Sequence, residues 1–349
     1  LTKTTTIALD AMGGDLGPAM VVDGAALALS REPGTRFLMF GDEDRIGREL
    51  ARHAALKDAV SIHHTDVVVR SDDRPSQALR RSRDSSMGLA IQAVRDQSAD
   101  VAVSAGNTGA LMAMSKFMLK TMPGIERPAL IGLLPTKRGT SVMLDLGANI
   151  ECDEDNLVQF AIMGAAFASA ILHVDRPSVG LMNVGVEELK GNESVRNAAE
   201  KLRAMELPFE FVGFVEGDGV GEGTVDVFVT DGFTGNVALK ASEGIARFIA
   251  SLLGEAFRSS VLSKLGYLFV ARAMKALQAR LDPNKYNGGV FMGLNGLVVK
   301  SHGSANAEGF ASAVKVASDM VHDDLIHHIA QDLERLGAAS NQSPHVAVS

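Results

Sequence analysis

Short apolar runs alternate with longer amphipathic stretches along almost the whole chain. Thr5-Thr6-Ile7-Ala8-Leu9 reads as a strand and Pro18 to Leu29 as a helix; Arg36 to Phe40 reads as a strand and Arg45 to Ala54 as a helix. Further strands are expected at Val101 to Val103, Ala129 to Leu134, Ser141 to Leu144, Ser178 to Met182, Glu210 to Val215 and Val225 to Val229. Helical patterns separate most of them. Such alternation predicts an α/β fold, a three-layer, mainly parallel sheet with helices on both faces. Ligands in such sheets bind outside the carboxyl ends of the strands. The near-apolar run Phe160 to Leu172 has 13 residues, fewer than the about 20 a membrane span needs, and is expected to be a buried core helix. No long linker interrupts the pattern. Residues 1–335 are therefore expected to form one α/β body with two subdomains around a cleft, with a helical hairpin at about 254–282, and the small polar residues of 336–349 to be a flexible tail.

Composition narrows the functional classes. The chain has 349 residues, 46% hydrophobic and 22% charged, with 35 glycines, as expected for an ordinary soluble α/β protein. It has no Trp, two Tyr and a net charge of −8, which argues against nucleic acid as a partner. Cys152 is the one cysteine, so neither an intramolecular disulfide nor a cysteine-based zinc site is expected. The opening residues Leu1 to Ile7 run into a strand pattern without an apolar core or cleavage site; no secretory signal, and hence a cytoplasmic location, is expected.

One pattern occurs twice. Asp100-Val-Ala-Val-Ser-Ala-Gly-Asn-Thr-Gly109 and Asp226-Val-Phe-Val-Thr-Asp-Gly-Phe-Thr-Gly235 share D-V-x-V-[ST]-x-G-x-T-G. Each predicts a buried strand, a Gly/Thr turn and a helix whose free N–H groups can hold an anion. The plainer alternative is two ordinary strand-to-helix turns with hydroxyl caps. The extra Asn107 and Asn236 favour ligand loops. No G-x-G-x-x-G opens a helix after a strand, and neither G-x-x-x-x-G-K-[ST] nor H-E-x-x-H occurs. Ser104, within Ala102-Val-Ser-Ala-Gly106, approximates a nucleophile elbow, but an anion ligand or cap fits better.

Three further loops follow strands. Asp10-Ala-Met-Gly-Gly-Asp15 precedes a helix opened by Gly17-Pro18; Gly13 and Gly14 allow close backbone approach, and the acids could orient a lysine. Lys190, in Asn183-Val-Gly-Val-Glu-Glu-Leu-Lys-Gly-Asn192, adds a full charge to a helix's positive end, which suits phosphate. His302, after Leu297-Val-Val-Lys-Ser301, sits where a proton donor is useful. The segment Ala256 to Leu281 carries Arg258, Lys264, Arg272, Lys275 and Arg280 and no acid, with Leu265, Leu268 and Phe269 near helical spacing and Gly266 as a break. It suits a partner subunit, an anionic lipid surface or an acidic protein.

Taken together, Asp10-Ala-Met-Gly-Gly-Asp15, Ser104-Ala-Gly-Asn-Thr-Gly109, Glu126-Arg-Pro-Ala129, Asp145-Leu-Gly-Ala-Asn149, Lys190-Gly-Asn192, Asp231-Gly-Phe-Thr-Gly-Asn236 and Lys300-Ser-His-Gly303 closely resemble the PlsX family of acyl-carrier-protein:phosphate acyltransferases, in order from about Ile7 to Phe310. The resemblance implies transfer of a long-chain acyl group from acyl carrier protein to orthophosphate, giving acyl phosphate for phospholipid synthesis. It also implies a homodimer, a fold akin to isocitrate/isopropylmalate dehydrogenases and phosphotransacetylases, peripheral association with the inner face of the cell membrane, and hand-over to the acyltransferase PlsY. Neither a cofactor nor a metal is implied. Phosphate is itself the nucleophile in that reaction, which accords with the missing triad. Ser104, Asn107 and Thr108 with Asn236, flanked by Gly13 and Gly14, are expected as the phosphate cradle. Lys190 is expected as charge stabiliser and His302 as oxyanion donor or thiolate protonator (the two roles are interchangeable at this level), with Asp231 beside them. Arg258, Lys264, Leu268, Phe269, Arg272 and Lys275 are expected to meet membrane or carrier protein. The competing expectations are a short-chain phosphotransacetylase using coenzyme A and a non-enzymatic scaffold for lipid enzymes.

Overall fold

A computed structural model of the chain describes residues 4–81 and 83–340. The elements are β1 (Thr6–Asp10), α1 (Pro18–Arg31), β2 (Arg36–Gly41), α2 (Glu43–Leu50), β3 (Val60–His64), α3 (Pro75–Arg81), α4 (Ser86–Arg95), β4 (Val101–Ser104), α5 (Thr108–Leu119), β5 (Ala129–Thr136), β6 (Gly139–Leu144), α6 (Glu154–Leu172), β7 (Ser178–Met182), α7 (Glu193–Ala204), β8 (Glu210–Val215), α8 (Gly219–Glu222), β9 (Val227–Val229), α9 (Gly232–Arg258), α10 (Val261–Leu281), β10 (Gly289–Met292), β11 (Leu297–Lys300), α11 (Ala307–His322) and α12 (Leu325–Ser340). Helix starts follow a common chemistry. The side chains of Asp42, Ser85, Asn107, Asp153, Asn192, Asp231 and Asn306 each accept from the backbone N–H three residues on, satisfying donors that the first turn leaves free.

The eleven strands form one sheet in the order β3-β2-β1-β4-β11-β10-β5-β6-β9-β7-β8. Strands β3 to β11 of that order are mutually parallel, as are β6, β9, β7 and β8. Between these blocks β10 and β5 pair antiparallel with each other and with their outer neighbours β11 and β6. The two parallel blocks therefore run in opposite directions. Alternation of side chains divides the core: Ile7, Leu9, Val101 and Val103 lie on the face covered by α1 and α11, whereas Ala8 and Ala102 face α4 and α5. Helix α6 is long and apolar enough to cross a membrane, but 72% of its most apolar window is buried inside the protein, as expected of a core helix.

Several boundaries differ from the sequence pattern. β3 escaped it because Val-Ser-Ile-His-His is a polar edge strand, and β10 because its four residues follow the turn-like pair Asn287-Gly288. Helix α2 begins two residues before Arg45, where Asp42 caps it, and stops at Leu50. The Gly-rich stretch 217–223 holds the one-turn α8. The hairpin extends well beyond 254–282. Its arms are α9 and α10, with 27 and 21 residues, and they turn at Ser259-Ser260, where the Ser260 hydroxyl accepts from Ser263 N. Helix α10 passes straight through Gly266, because a helix interior tolerates a glycine at about 1 kcal/mol. The expected tail from residue 336 starts inside α12, which runs to Ser340; residues 341–349 and the side chain of Arg280 lie outside those described.

Candidate active site

Each copy of the repeated pattern is the middle strand of a parallel trio. The first Asp of each copy ties its strand to a neighbour: Asp100 Oδ2 accepts from Thr6 N, and Asp226 Oδ2 accepts from Ser178 N, each at 2.8 Å. The trios are β1-β4-β11 and β6-β9-β7, and their carboxyl ends make two separate edges.

At the first edge, Leu9 pairs with Val103 and Lys300 with Ser104, which sets Asp10, Ser104 and Lys300 side by side. Ser104 Oγ donates to Asp10 Oδ2 at 2.6 Å and accepts from Gly106 N at 3.0 Å. Both side chains are buried. Burial pushes the Asp10 carboxyl above the usual carboxylate range, against hydrogen bonds from Ser104 and the Met12 amide. Lys300 donates to the carbonyls of Ala105 and Ser301. Burial pushes its ammonium down to about 8, opposed by the charges of Asp10 and Asp15. Gly13 leaves no room for a side chain, since a Cβ there would stand 2.7 Å from Asp10 Oδ2. His302 donates its backbone N–H to Asn287 Oδ1 at 2.9 Å, and its Nδ1 lies 2.9 Å from Ser304 Oγ.

At the second edge, Asp145 follows β6 and is buried. Its carboxylate accepts from the N–H groups of Leu130, Gly147, Ala148 and Asn149 and from Asn149 Nδ2. Burial still leaves its carboxyl above the usual range. Asn236 Nδ2 donates to Leu146 O at 3.0 Å. Asp231 accepts from Thr234 N and Thr234 Oγ1, each at 2.8 Å, and so caps α9. After β7, Asn183 Nδ2 donates to Lys190 O at 3.1 Å, and Gly191 takes φ +87°, so the chain turns back into α7. Lys190 is exposed next to the first turn of α7 and forms no ion pair with another described residue. Cys152 is half-buried here. Burial, then the charges of Asp145 and Asp231, push its thiol up to about 12, with the Gly232 amide and Arg127 acting the other way. It is not a thiolate nucleophile at neutral pH.

The expected residues thus divide between two places. Gly13, Gly14, Ser104, Asn107, Thr108 and His302 belong to the first edge, Lys190, Asp231 and Asn236 to the second. Strands β4 and β6 lie four positions apart in the sheet, about 19 Å at the usual strand spacing of about 4.8 Å. From Asn107 to Lys116, α5 advances about 14 Å along its axis, toward the second edge, near which Lys116 Nζ reaches Glu126 O. One chain therefore does not form the single cradle of Ser104, Asn107, Thr108 and Asn236, nor does it set His302 beside Lys190. Opposite strand direction is the cause. Two of the expected donors are also engaged internally. The Ser104 hydroxyl is held by Asp10, and Asn107 caps α5 through Oδ1 while its Nδ2 donates to the carbonyls of Arg70, Ser71 and Asp73. The loops differ as well: α5 starts at Thr108, but α9 starts two pattern positions earlier, at Gly232. Sequence reasoning assigned no role to Lys300, Asn149 or Asn183. Lys300 carried a readable signal, a cation ending an apolar strand.

Residues 5–328 match the model of a family described as fatty acid synthesis protein. The chain belongs to this family. It is 59% identical over 347 residues to a phosphate acyltransferase of Bradyrhizobium diazoefficiens, covering 98% of each chain. It is also 58% identical over 333 residues to a phosphate acyltransferase of Nitrobacter hamburgensis, covering 95% of this chain and 94% of that one. The protein is an enzyme, an acyltransferase, and not a scaffold alone. Its fold is that of phosphotransacetylases: the Streptococcus pyogenes phosphotransacetylase superposes with a TM-score of 0.64 at 17% identity, covering 92% of this chain and 95% of that one. The EutD phosphotransacetylase of Staphylococcus aureus gives 0.59 at 18% identity with the same coverage.

Proposed function

We propose that the enzyme moves a long-chain acyl group from acyl carrier protein to orthophosphate, forming acyl phosphate for phospholipid synthesis. A hydrogen-phosphate oxygen attacks the thioester carbonyl, the C–S bond breaks, and the leaving thiolate takes up the proton that the phosphate releases. The observation that carries this proposal is the second edge. Lys190 and the N-termini of α7 and α9 supply positive charge for an anion, Asn236 supplies a polar contact, and the cysteine there is too weakly acidic to take the acyl group itself. The tasks left are holding a dianion in line and stabilising the developing oxyanion. Asp231 acts through α9, whose first turn it holds in place.

The homodimer, the membrane surface and hand-over to PlsY belong to the same proposal. Outward residues of α9, among them Val237, Ile245, Phe248 and Leu252, are exposed, which suits a second copy of the chain. The hairpin arm α10 exposes Leu268 at 70% and Phe269 at 90% among its basic residues, which suits the cytoplasmic face of an anionic membrane.

The test measures phosphate-dependent loss of a long-chain acyl thioester, with acyl carrier protein or coenzyme A as donor. Preference for the carrier protein is expected; equal or better use of a short-chain coenzyme A thioester would favour a phosphotransacetylase activity, which the fold also accommodates. In the same assay, Lys190→Ala should lower kcat about 10²-fold or more with the fold retained, as loss of a preorganised charge does. Near-full turnover would remove Lys190 from the chemistry.

A further inference from the structure

The helices α3 and α5 form a basic ridge that the chemistry above does not use. Residues 70–83 contain five arginines and two aspartates in a chain of net charge −8. Helix α3 lies along α5. Pro75 is against its start, where a Cβ on Gly109 would stand 2.9 Å from Pro75 Cγ, and Arg83 lies 4.9 Å over the ring of Phe117 near its end. Lys120 lies over the same ring, also at 4.9 Å. Arg74, Arg80, Arg83, Lys116 and Lys120 are exposed and form no ion pair with another described residue. Of the two aspartates, Asp73 is tied to the local backbone, its Oδ2 accepting from Arg70 N at 2.8 Å.

The ridge joins the two edges. It begins at the loop 70–73, whose carbonyls are held by Asn107 of the first edge. It ends at Lys116, which donates to Glu126 O; the next residue, Arg127, acts electrostatically on Cys152 of the second edge. The two charged surfaces of the protein also differ in kind. The hairpin exposes large apolar side chains among its cations, as lipid insertion requires. On the ridge the exposed large apolar side chain is Phe117, and it lies under two cations at 41% exposure. A surface with charge and little free apolar area suits an acidic protein held by electrostatics rather than a bilayer.

We infer that the α3–α5 ridge is the docking surface for the acidic protein that carries the acyl thioester, delivering it along α5 to the second edge. This inference rests on the carrier-protein donor proposed above. The carrier proteins that bear acyl thioesters are strongly acidic, so charge complementarity selects this occupant.

The test uses the full-length enzyme with Arg80→Glu and Arg83→Glu combined, and separately with Lys116→Gln and Lys120→Gln combined, so that misfolding of one pair leaves the other informative. Steady-state kinetics are measured with acyl carrier protein and with the coenzyme A thioester of the same acyl group. The expected result for the charge reversal is about a tenfold rise in KM for the carrier-protein thioester, since charges at the rim of an interface act mainly on association. KM for phosphate and turnover of the coenzyme A thioester should stay at parental values. KM of the parent for the carrier should rise with salt, and that of the variant should rise less. An unchanged carrier KM in both variants would overturn the docking surface. A parent that uses the two donors equally well would overturn the donor assignment instead.

Discussion

At the scale of single residues, equivalent-looking positions in the repeated pattern do different work. Asn107 is saturated by its cap and by three loop carbonyls, whereas Asn236 makes one bond to Leu146 O from the first turn of α9. Asn107→Ala should therefore lower stability by about 1–2 kcal/mol through the lost cap and orphaned carbonyls, with little change in phosphate half-saturation. Asn236→Ala should raise the phosphate concentration needed for half-maximal rate. Denaturant unfolding and phosphate titration on both variants check the contrast, and equal kinetic effects would refute it. Lys300 gives a pH signature. Its ammonium falls to about 8 in the folded protein from an ordinary value of about 10.4. Between these values the unfolded chain binds the extra proton, so stability gains from this group as pH rises and is lost as pH falls through the folded value. Relative to Lys300→Met, the parent should gain up to about 1 kcal/mol per pH unit across that window in urea unfolding. Parallel stability curves for parent and variant would show that burial does not discriminate against the charge.

At the scale of elements, the hairpin shows how far local pattern reaches. Basic and apolar positions at helical spacing predict a helical hairpin at about 254–282, and the end of α9 with α10 occupies that stretch. Where the arms turn was decided by Ser260, whose hydroxyl caps α10, and not by Gly266. Each cation near an anionic bilayer is worth roughly 1 kcal/mol and the exposed apolar side chains add burial, enough for reversible surface binding. Leu268→Glu combined with Phe269→Glu should abolish co-sedimentation with anionic vesicles while solution turnover continues. Retained sedimentation would argue against insertion by this face.

At the scale of the whole molecule, α9 is a long helix that the single chain leaves mostly unburied. Of its 27 residues, Gly232 and Gly235 are buried, and its exposed apolar side chains recur about every turn or two. A helix with such a face gains stability by burying it against another surface. Ile245→Glu combined with Phe248→Glu should convert a dimer to monomers in analytical ultracentrifugation, with circular dichroism little changed. A dimer that persists would place the subunit contact elsewhere.

Most strands, the mainly parallel character of the sheet and the positions of the candidate loops were legible in the sequence, because hydrophobic period, turn residues and helix caps are local properties. Asp10, Ser104, Lys190, Asp231 and Asn236 all stand at strand ends or helix starts, where that local chemistry put them. What no local pattern carries is strand direction. Inserting β10 and β5 antiparallel between two parallel blocks reverses the second block, and one candidate cradle became two separate edges. Local pattern also could not show which donors were already engaged. Ser104 meets Asp10 across 94 residues of chain, and Lys300 becomes a buried cation only where β11 adds beside β4. The sequence by itself determined the elements and the chemical character of their ends; tertiary pairing decided which ends meet and which polar groups remain free, since those depend on contacts between residues far apart along the chain.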